Sequence, residues 1–211
     1  MTPVGSPIEK FVDWQQYAEG PTALGRVRSA LWRALLGEDP RPPGSAALAT
    51  SDEHAHPSVR MVLIKGVSER GFRFFTNYSS RKAAELEANP QASLLFYWPQ
   101  VARQVRVEGA VHRLSADESD AYFATRPRGS QIGAWASRQS ERMASPELLT
   151  SRVQRFQMRF SDGPVPRPPF WGGYLLVPDF FEFWQARPNR LHVRQCFERR
   201  DDDWRTYELM P

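Results

Sequence analysis

Residues Arg103–Leu114 alternate with a period of two. Val105, Val107 and Val111 fall on one side of an extended chain, and Gln104, Arg106 and Glu108 fall on the other. That pattern specifies a strand with one dry and one wet face, and the neighbouring sequence repeats the theme. Ala46–Thr50 and Val59–Val67 read as strands joined by a polar turn. Ser68-Glu69-Arg70-Gly71 is a hairpin signal ahead of Phe72–Thr76, Gln91–Trp98 pairs with Arg103–Leu114, and Gly173–Trp184 and Arg194–Leu209 supply late strands. Helical stretches interrupt them at Asp117–Thr125 and Pro146–Phe160. The serines at 79 and 80 suit a helix start, and Asn89-Pro90 a stop. Many antiparallel strands with short turns and a few inserted helices predict a mainly β fold, a β-barrel with flanking α-helices, not a doubly wound sheet. The first forty residues read as helical, with Leu24, Val27, Leu31 and Leu35 on one face, and Asp39–Gly44 breaks the chain. Residues 1–45 are therefore expected to form a helical arm and residues 46–211 the barrel domain.

Composition narrows the function classes. No apolar run is long enough to span a bilayer, and the first residues lack the apolar core of a signal peptide, so a cytoplasmic protein is expected. Cys196 is the only cysteine, which removes an intramolecular disulfide and disfavours a cysteine-based zinc site. His54, His56, His112 and His192 show no metal-ligand spacing, and no metal is expected. Neither a P-loop nor a GxGxxG turn is present. The net charge of +4 is spread along the chain, which argues against a nucleic-acid-binding tail. Only three of the 28 cationic side chains are lysines, Lys10, Lys65 and Lys82, which draws attention to where the last two stand.

Four segments carry candidate chemistry. Arg126–Ser140 has three arginines, two glutamines and three serines, no acid, and apolar Ile132, Ala134 and Trp135 at its centre. Donors interleaved with apolar anchors suit a wall that holds an anionic, partly aromatic ligand. Tyr122 and Arg126 are four apart at the end of a helix stopped by Pro127, and with Ser130 they form a candidate phosphate cup. Arg81 and Lys82 stand in the first turn after Ser79 and Ser80, where cations oppose the helix dipole unless an anion is bound there. In Arg60–Lys65 an apolar centre, read as buried, lies between two cations that face opposite sides of a regular strand. Arg190, His192 and Arg194 alternate, so an extended segment would place all three on one side.

Taken in order, R-x-V-L-x-K, F-x-T-N-x-x-S-R-K, R-Q-V-R-V-x-G, Y-F-x-x-R-P-R-x-S-Q-I-G-A-W-x-S-x-Q-S, F-W-G-G, E-F-W-Q and R-L-H-x-R make the chain resemble the pyridoxine (pyridoxamine) 5'-phosphate oxidases from about Ala46 to Pro211. The resemblance implies an antiparallel split β-barrel of Greek-key type, a homodimer with FMN in the cleft between subunits. It implies that Arg60, Ser80, Arg81 and Lys82 hold the FMN phosphate and ribityl chain. Met61, Val62, Leu63, Lys65, Phe75 and Thr76 would line the flavin. Gln104, Gln139, Ser140, Trp184 and Arg194 would complete that site, some from the other subunit. Lys65, Tyr122, Arg126 and Ser130 would grip the substrate phosphate, and Arg190 and His192 would be catalytic, closing over the pyridine ring.

The implied reaction oxidises the C4′ carbon of pyridoxine or pyridoxamine 5'-phosphate, with O2 taking the electrons, and involves neither nucleic acid nor membrane. Val193 departs from the family's usual acidic or polar residue in R-L-H-x-R, and Met1–Gly20 shows no counterpart of the family's Arg/Tyr-containing arm. The competing readings are a related oxidase acting on another aromatic substrate, such as a phenazine precursor, and a flavin-binding module without turnover.

Overall fold

A computed structural model describes residues 6–19, 44–201 and 203–211. The expected apolar face of Leu24, Val27, Leu31 and Leu35 lies outside the described residues. The helix α1 (Pro7–Glu19) precedes a meander of β1 (Ser45–Ser51), β2 (Pro57–Ser68) and β3 (Gly71–Asn77). The connection through α2 (Arg81–Ala88) then returns β4 (Gln91–Trp98) to lie beside β1. The spatial order β3-β2-β1-β4 is that of a Greek key. β5 (Arg103–Arg113) pairs with β4, and β6 (Trp171–Gln185) pairs with β5 and with β3. That last pairing closes a six-stranded antiparallel barrel.

β6 serves two neighbours on one edge. Trp171–Leu176 pair with β3, and Phe180–Gln185 pair with β7 (Val193–Arg200), to which β8 (Asp203–Glu208) adds a final strand. Pro178, without an N–H to give, stands at the changeover, opposite Gly109 and a shift of register in β5. A Cβ on Gly109 would lie 2.0 Å from the Val177 carbonyl oxygen, so the close approach of the two strands requires glycine there. The expected β segment Arg194–Leu209 is a hairpin of two strands. The polar run after Arg200 turns the chain, with Asp201 in the left-handed region.

Val105, Val107 and Val111 are buried, as their alternation predicts. They share the barrel core with Phe72, Phe74, Phe96, Phe181 and Phe183. α1 seals this core with fully buried Phe11, whose ring packs edge-on against Phe72 and Phe96 at 5.0 and 4.7 Å.

A second, smaller core forms under three helices inserted between β5 and β6: α3 (Ala116–Ala124), α4 (Arg128–Ala136) and α5 (Pro146–Arg159). α3 opens on a capping box between Ser115 and Glu118. Most of the Arg126–Ser140 wall, for which no helix was expected, is helical: α4 carries Ile132 and Ala136 four apart on its buried face. Among the described residues, no helix is long and apolar enough to cross a membrane.

α2 is tied to the barrel by one carboxylate. Glu85, buried, accepts hydrogen bonds from Thr50 Oγ1, from Ser58 Oγ at 2.6 Å, from Arg60 Nη2 at 3.0 Å and from Arg81 Nε at 2.8 Å. Thr50 and Ser58 face each other across β1 and β2, so the helix is pinned to both strands. Burial alone would raise the Glu85 pKa, but these donors outweigh it and hold the carboxyl at about 2. The stabilisation is fully present above the ordinary value of 4.5 and is lost as pH falls from there to about 2. It is worth on the order of 3 kcal/mol. Glu85→Gln should therefore lower unfolding free energy by about that amount at pH 7 and flatten the acid limb of stability. Urea unfolding across this pH range measures both, and an unchanged acid limb in the variant would contradict the assignment.

Candidate functional site

Between β2, β3, α2 and the α3–α4 corner lies a cavity of about 780 Å³. Of the residues singled out from sequence, Met61, Val62, Leu63, Lys65, Phe75, Thr76, Lys82, Tyr122, Arg126, Ser130 and Gln139 all line it. Its walls carry three cations, Lys65, Lys82 and Arg126, and no carboxylate among the described residues.

Lys82 enters from the first turn of α2. Its Nζ donates to Thr76 Oγ1 and Gln139 Oε1, each at 3.1 Å, and to Ser80 Oγ at 3.3 Å. All three partners are neutral. Burial, reinforced by the nearby charge of Arg60 and only partly offset by Glu85, lowers its pKa to about 8. Ser80 occupies the N-cap with extended backbone, but its hydroxyl donates to Asn77 O at 2.7 Å and makes no capping bond, contrary to expectation. The Arg81 N–H is instead accepted by Ser140 Oγ at 3.1 Å. Ser140 adopts φ 75°, which turns the end of the Arg126–Ser140 segment back onto α2.

At the other end stands an aromatic stack. Tyr122 and Phe75 lie 3.8 Å apart at 20°, and Phe75 and Trp171 lie 5.7 Å apart at 12°. The Arg126 guanidinium sits 4.6 Å from the centre of the Trp171 ring. Its Nη1 is buried without a hydrogen-bond partner. Burial lowers the Arg126 pKa and raises that of Tyr122, and the two side chains oppose each other's shift. A buried guanidinium N–H with no acceptor is costly unless a ligand supplies one. Ser130 stands nearby on the first turn of α4.

Other candidates are elsewhere. Arg60 does not line the cavity. Its Nη1 donates to Leu48 O at 3.3 Å and to Thr50, and its Nη2 to Ser58 and Glu85, so its terminal nitrogens are already engaged. Ser80, Arg81 and Ser140 are not part of the cavity lining, Ser80 being buried and the other two exposed. The centre of the Arg60–Lys65 strand is buried on one face only: Ile64 is buried and Val62 packs against the core, whereas Val59, Met61 and Leu63 present an exposed apolar row on β2. A shift of pairing between Ile64 and Gly66 falls at Lys65, yet Arg60 and Lys65 stay apart, one against Glu85 and the other at the cavity.

Gln104, Trp184 and Arg194 form a row across β5, β6 and β7 in direct register. Gln104 lies on the outward face, opposite to the buried valines. In a ring ordered β3-β2-β1-β4-β5-β6, β5 is three strands from β2, so this row points away from the cavity of its own chain. The His192 ring lies 4.7 Å from that of Trp184, and its Nδ1 accepts the Arg187 N–H at 3.2 Å. Arg190, His192 and Arg194 do not share an extended strand. Pro188–Arg190 forms a 3-10 turn with Asn189 and Arg190 both at positive φ, and β7 begins only at Val193.

Sequence reasoning missed Trp171 as the floor of the cavity. Its signal was the following Gly172-Gly173, where a Cβ would collide with Tyr78 or with Phe75 and Leu114. It also missed Glu85 and Glu182, buried acids whose arginine partners mostly lie on other elements.

Comparison with known proteins agrees with this geometry. Residues 38–160 match the family model described as Pyridoxamine 5'-phosphate oxidase, and residues 171–211 match that described as Pyridoxine 5'-phosphate oxidase C-terminal dimerisation region. The chain is 57% identical over 205 residues to a pyridoxine/pyridoxamine 5'-phosphate oxidase of Rubrobacter xylanophilus, covering 97% of this chain and 87% of that protein. A protein of the same name from Anaeromyxobacter dehalogenans is 51% identical, covering 90% and 96%. Among solved structures, PhzG from Burkholderia lata 383 in complex with tetrahydrophenazine-1-carboxylic acid is 31% identical with a TM-score of 0.76, covering 93% of this chain and 96% of that one. A pyridoxamine 5'-phosphate oxidase-related, FMN binding protein from Nostoc punctiforme, 17% identical with a TM-score of 0.69 over 99% of this chain and 100% of that one, shares the fold. By the two family matches and the identity to these relatives, the chain belongs to the pyridoxamine 5'-phosphate oxidase family, a split barrel that carries the family's dimerisation region.

Proposed function

We propose that the protein is an FMN-dependent oxidase that converts pyridoxine 5'-phosphate and pyridoxamine 5'-phosphate to pyridoxal 5'-phosphate, with O2 as electron acceptor. The observation that carries this reading is the cavity with three cations and, among the described residues, no carboxylate and no acceptor for the buried Arg126 Nη1. Such a site attracts phosphate. Its two cationic ends, Lys82 at α2 and Arg126 at α3, suit two phosphorylated molecules bound side by side.

The donor set fits FMN. Lys82 and the first turn of α2 would hold the cofactor phosphate, with Ser80, Arg81 and Ser140 shaping that turn. Arg60, its terminal nitrogens engaged, contributes charge from behind Lys82. Met61, Val62, Leu63, Lys65, Phe75, Thr76 and Gln139 would line the flavin. When bound, FMN supplies the two-electron chemistry and passes the electrons to O2. The protein's part is to place and hold. Lys65, Tyr122, Arg126 and Ser130 fix the substrate phosphate, and the stack of Tyr122, Phe75 and Trp171 sets the distance between the two ends.

Gln104, Trp184 and Arg194, which face away from their own cavity, would reach the cavity of the partner subunit, with Arg190 and His192 closing over the pyridine ring. Val59, exposed on the same row of β2 as the cavity-lining Met61 and Leu63, supports burial of that edge against the partner. Oxidation of a tricyclic carboxylic acid, suggested by the likeness to PhzG, is the weaker reading: that identity is 31% against 57% for the Rubrobacter oxidase, and a carboxylate ligand does not call for the whole phosphate cup.

Purified protein should show a flavin absorbance band and, given pyridoxine 5'-phosphate in air, should form pyridoxal 5'-phosphate and peroxide. Flavin-loaded protein that forms neither would overturn the function. Arg126→Ala should raise KM for the phosphorylated substrate by roughly 30-fold or more while leaving the FMN dissociation constant within about twofold. Weaker FMN binding with an unchanged KM would put Arg126 in the other subsite. Because Lys82 of the free protein titrates near pH 8, FMN affinity should be flat from pH 7 to 8 and then fall, by up to about tenfold per pH unit. Lys82→Arg, charged throughout, should abolish that fall; the same fall in the variant would assign it to another group.

A further inference from the structure

Next to the row Gln104, Trp184 and Arg194 runs a second row on the same outward face: Arg106, Glu182 and Cys196, again in direct register. Glu182 is 4% exposed, an unusual place for a carboxylate on the outer side of a barrel. Its Oε1 accepts from Arg194 Nε at 2.6 Å and its Oε2 from Arg106 Nη2 at 2.8 Å. Arg194 is gripped a second time at the end of the chain. Its Nη1 donates to Met210 O at 3.0 Å, and its own carbonyl accepts the Leu209 N–H at 2.9 Å. Nε and Nη1 are thus occupied, and Nη2 is the nitrogen left to face a ligand. Burial would raise the Glu182 pKa, but the two guanidinium groups outweigh it and lower it, so the carboxylate stays charged at neutral pH.

We propose that Glu182 is a positioning residue: it locks the Arg194 guanidinium, between itself and the Met210 carbonyl, in the one orientation that presents Nη2 to the flavin of the partner's cavity. This inference rests on the functional reading above. An arginine side chain carries large rotamer entropy, and a lock made before the ligand arrives removes that cost from binding. Arg106 is shared with a second carboxylate, Glu108, so the network is neutral as a whole, and what Glu182 contributes is the orientation of Arg194 rather than excess charge.

The test is a double-mutant cycle on FMN affinity, read by quenching of flavin fluorescence in the full-length dimer. Glu182→Gln should weaken FMN binding about tenfold in the native background, and less than about twofold in an Arg194→Ala background, because the residue it acts through is gone. A structural role would give equal losses in both backgrounds. Equal losses, or no loss in the native background, would overturn the proposal. Arg106→Gln, which leaves the Glu182–Arg194 contact in place, should change FMN affinity by less than about threefold; a loss as large as that of Glu182→Gln would show that the network, not Arg194, is what matters. If Glu182→Gln does not fold, Glu182→Asp takes its place in the cycle, with the same non-additivity expected. Native protein that binds no FMN would bring down the functional reading and this one together, whereas tight FMN binding with additive losses would remove the positioning role alone.

Discussion

The structure turns on where its buried negative charge is allowed to stand. Glu85 takes hydrogen bonds from Thr50, Ser58, Arg60 and Arg81, and so fastens α2 to the first two strands. Lys82, three residues earlier on the same short helix, instead donates to neutral partners at a cavity whose lining holds no acid among the described residues. Had Glu85 faced that cavity, Lys82 would have had an ion-pair partner and the site no need of an anion. The placement separates two tasks: a carboxylate that fixes the helix, and a cation kept uncompensated for a ligand. Lys82 carries the mark of this arrangement in its lowered pKa, as Arg126 does at the far end of the same cavity. Both cations are destabilised by burial, and an anionic ligand relieves both.

The barrel and the inserted helices supply the frame for this electrostatic arrangement. Closure of β6 onto β3 brings Trp171 under Phe75 and Tyr122, and the Trp171 ring in turn supports the Arg126 guanidinium. Beyond Pro178 the same strand leaves β3, takes up β7, and carries Glu182 and Trp184 to the opposite wall. One strand therefore contributes to both faces of the molecule: a cavity floor at its start and, at its end, the outward row that holds Trp184 beside Arg194. In a symmetric dimer, such a strand would serve two different sites.

Much of this was legible in the sequence, and the reasons for the rest are physical. Period-two patterns such as Val105, Val107 and Val111 depend only on local geometry, and they placed the strands correctly. The helix start at Arg81 and the Tyr122–Arg126 spacing were legible for the same reason. Arg128–Ala136 was not read as a helix because its polar residues serve distant partners, so the apolar stripe reduces to Ile132 and Ala136. The alternation of Arg190, His192 and Arg194 misled because Pro188 and two residues at positive φ bend the chain there. The exposed apolar row on β2 inverts the usual rule: Met61 and Leu63 line the cavity instead of the core. Glu85 and Glu182 were overlooked because most of their partners are far away in sequence, and a salt bridge between strands leaves no local pattern.

The central claim is that each site joins the cavity of one subunit to the Gln104–Trp184–Arg194 row of the other. Mixing subunits tests it directly. Arg126→Ala and Arg194→Ala homodimers are each impaired at both of their sites. After subunit exchange in equal amounts, the mixed dimers should hold one doubly altered and one intact site. Activity at low substrate should then recover to about a quarter of the native value under random exchange. Subunits that demonstrably exchange but recover no activity beyond the mean of the two parents would contradict the shared site.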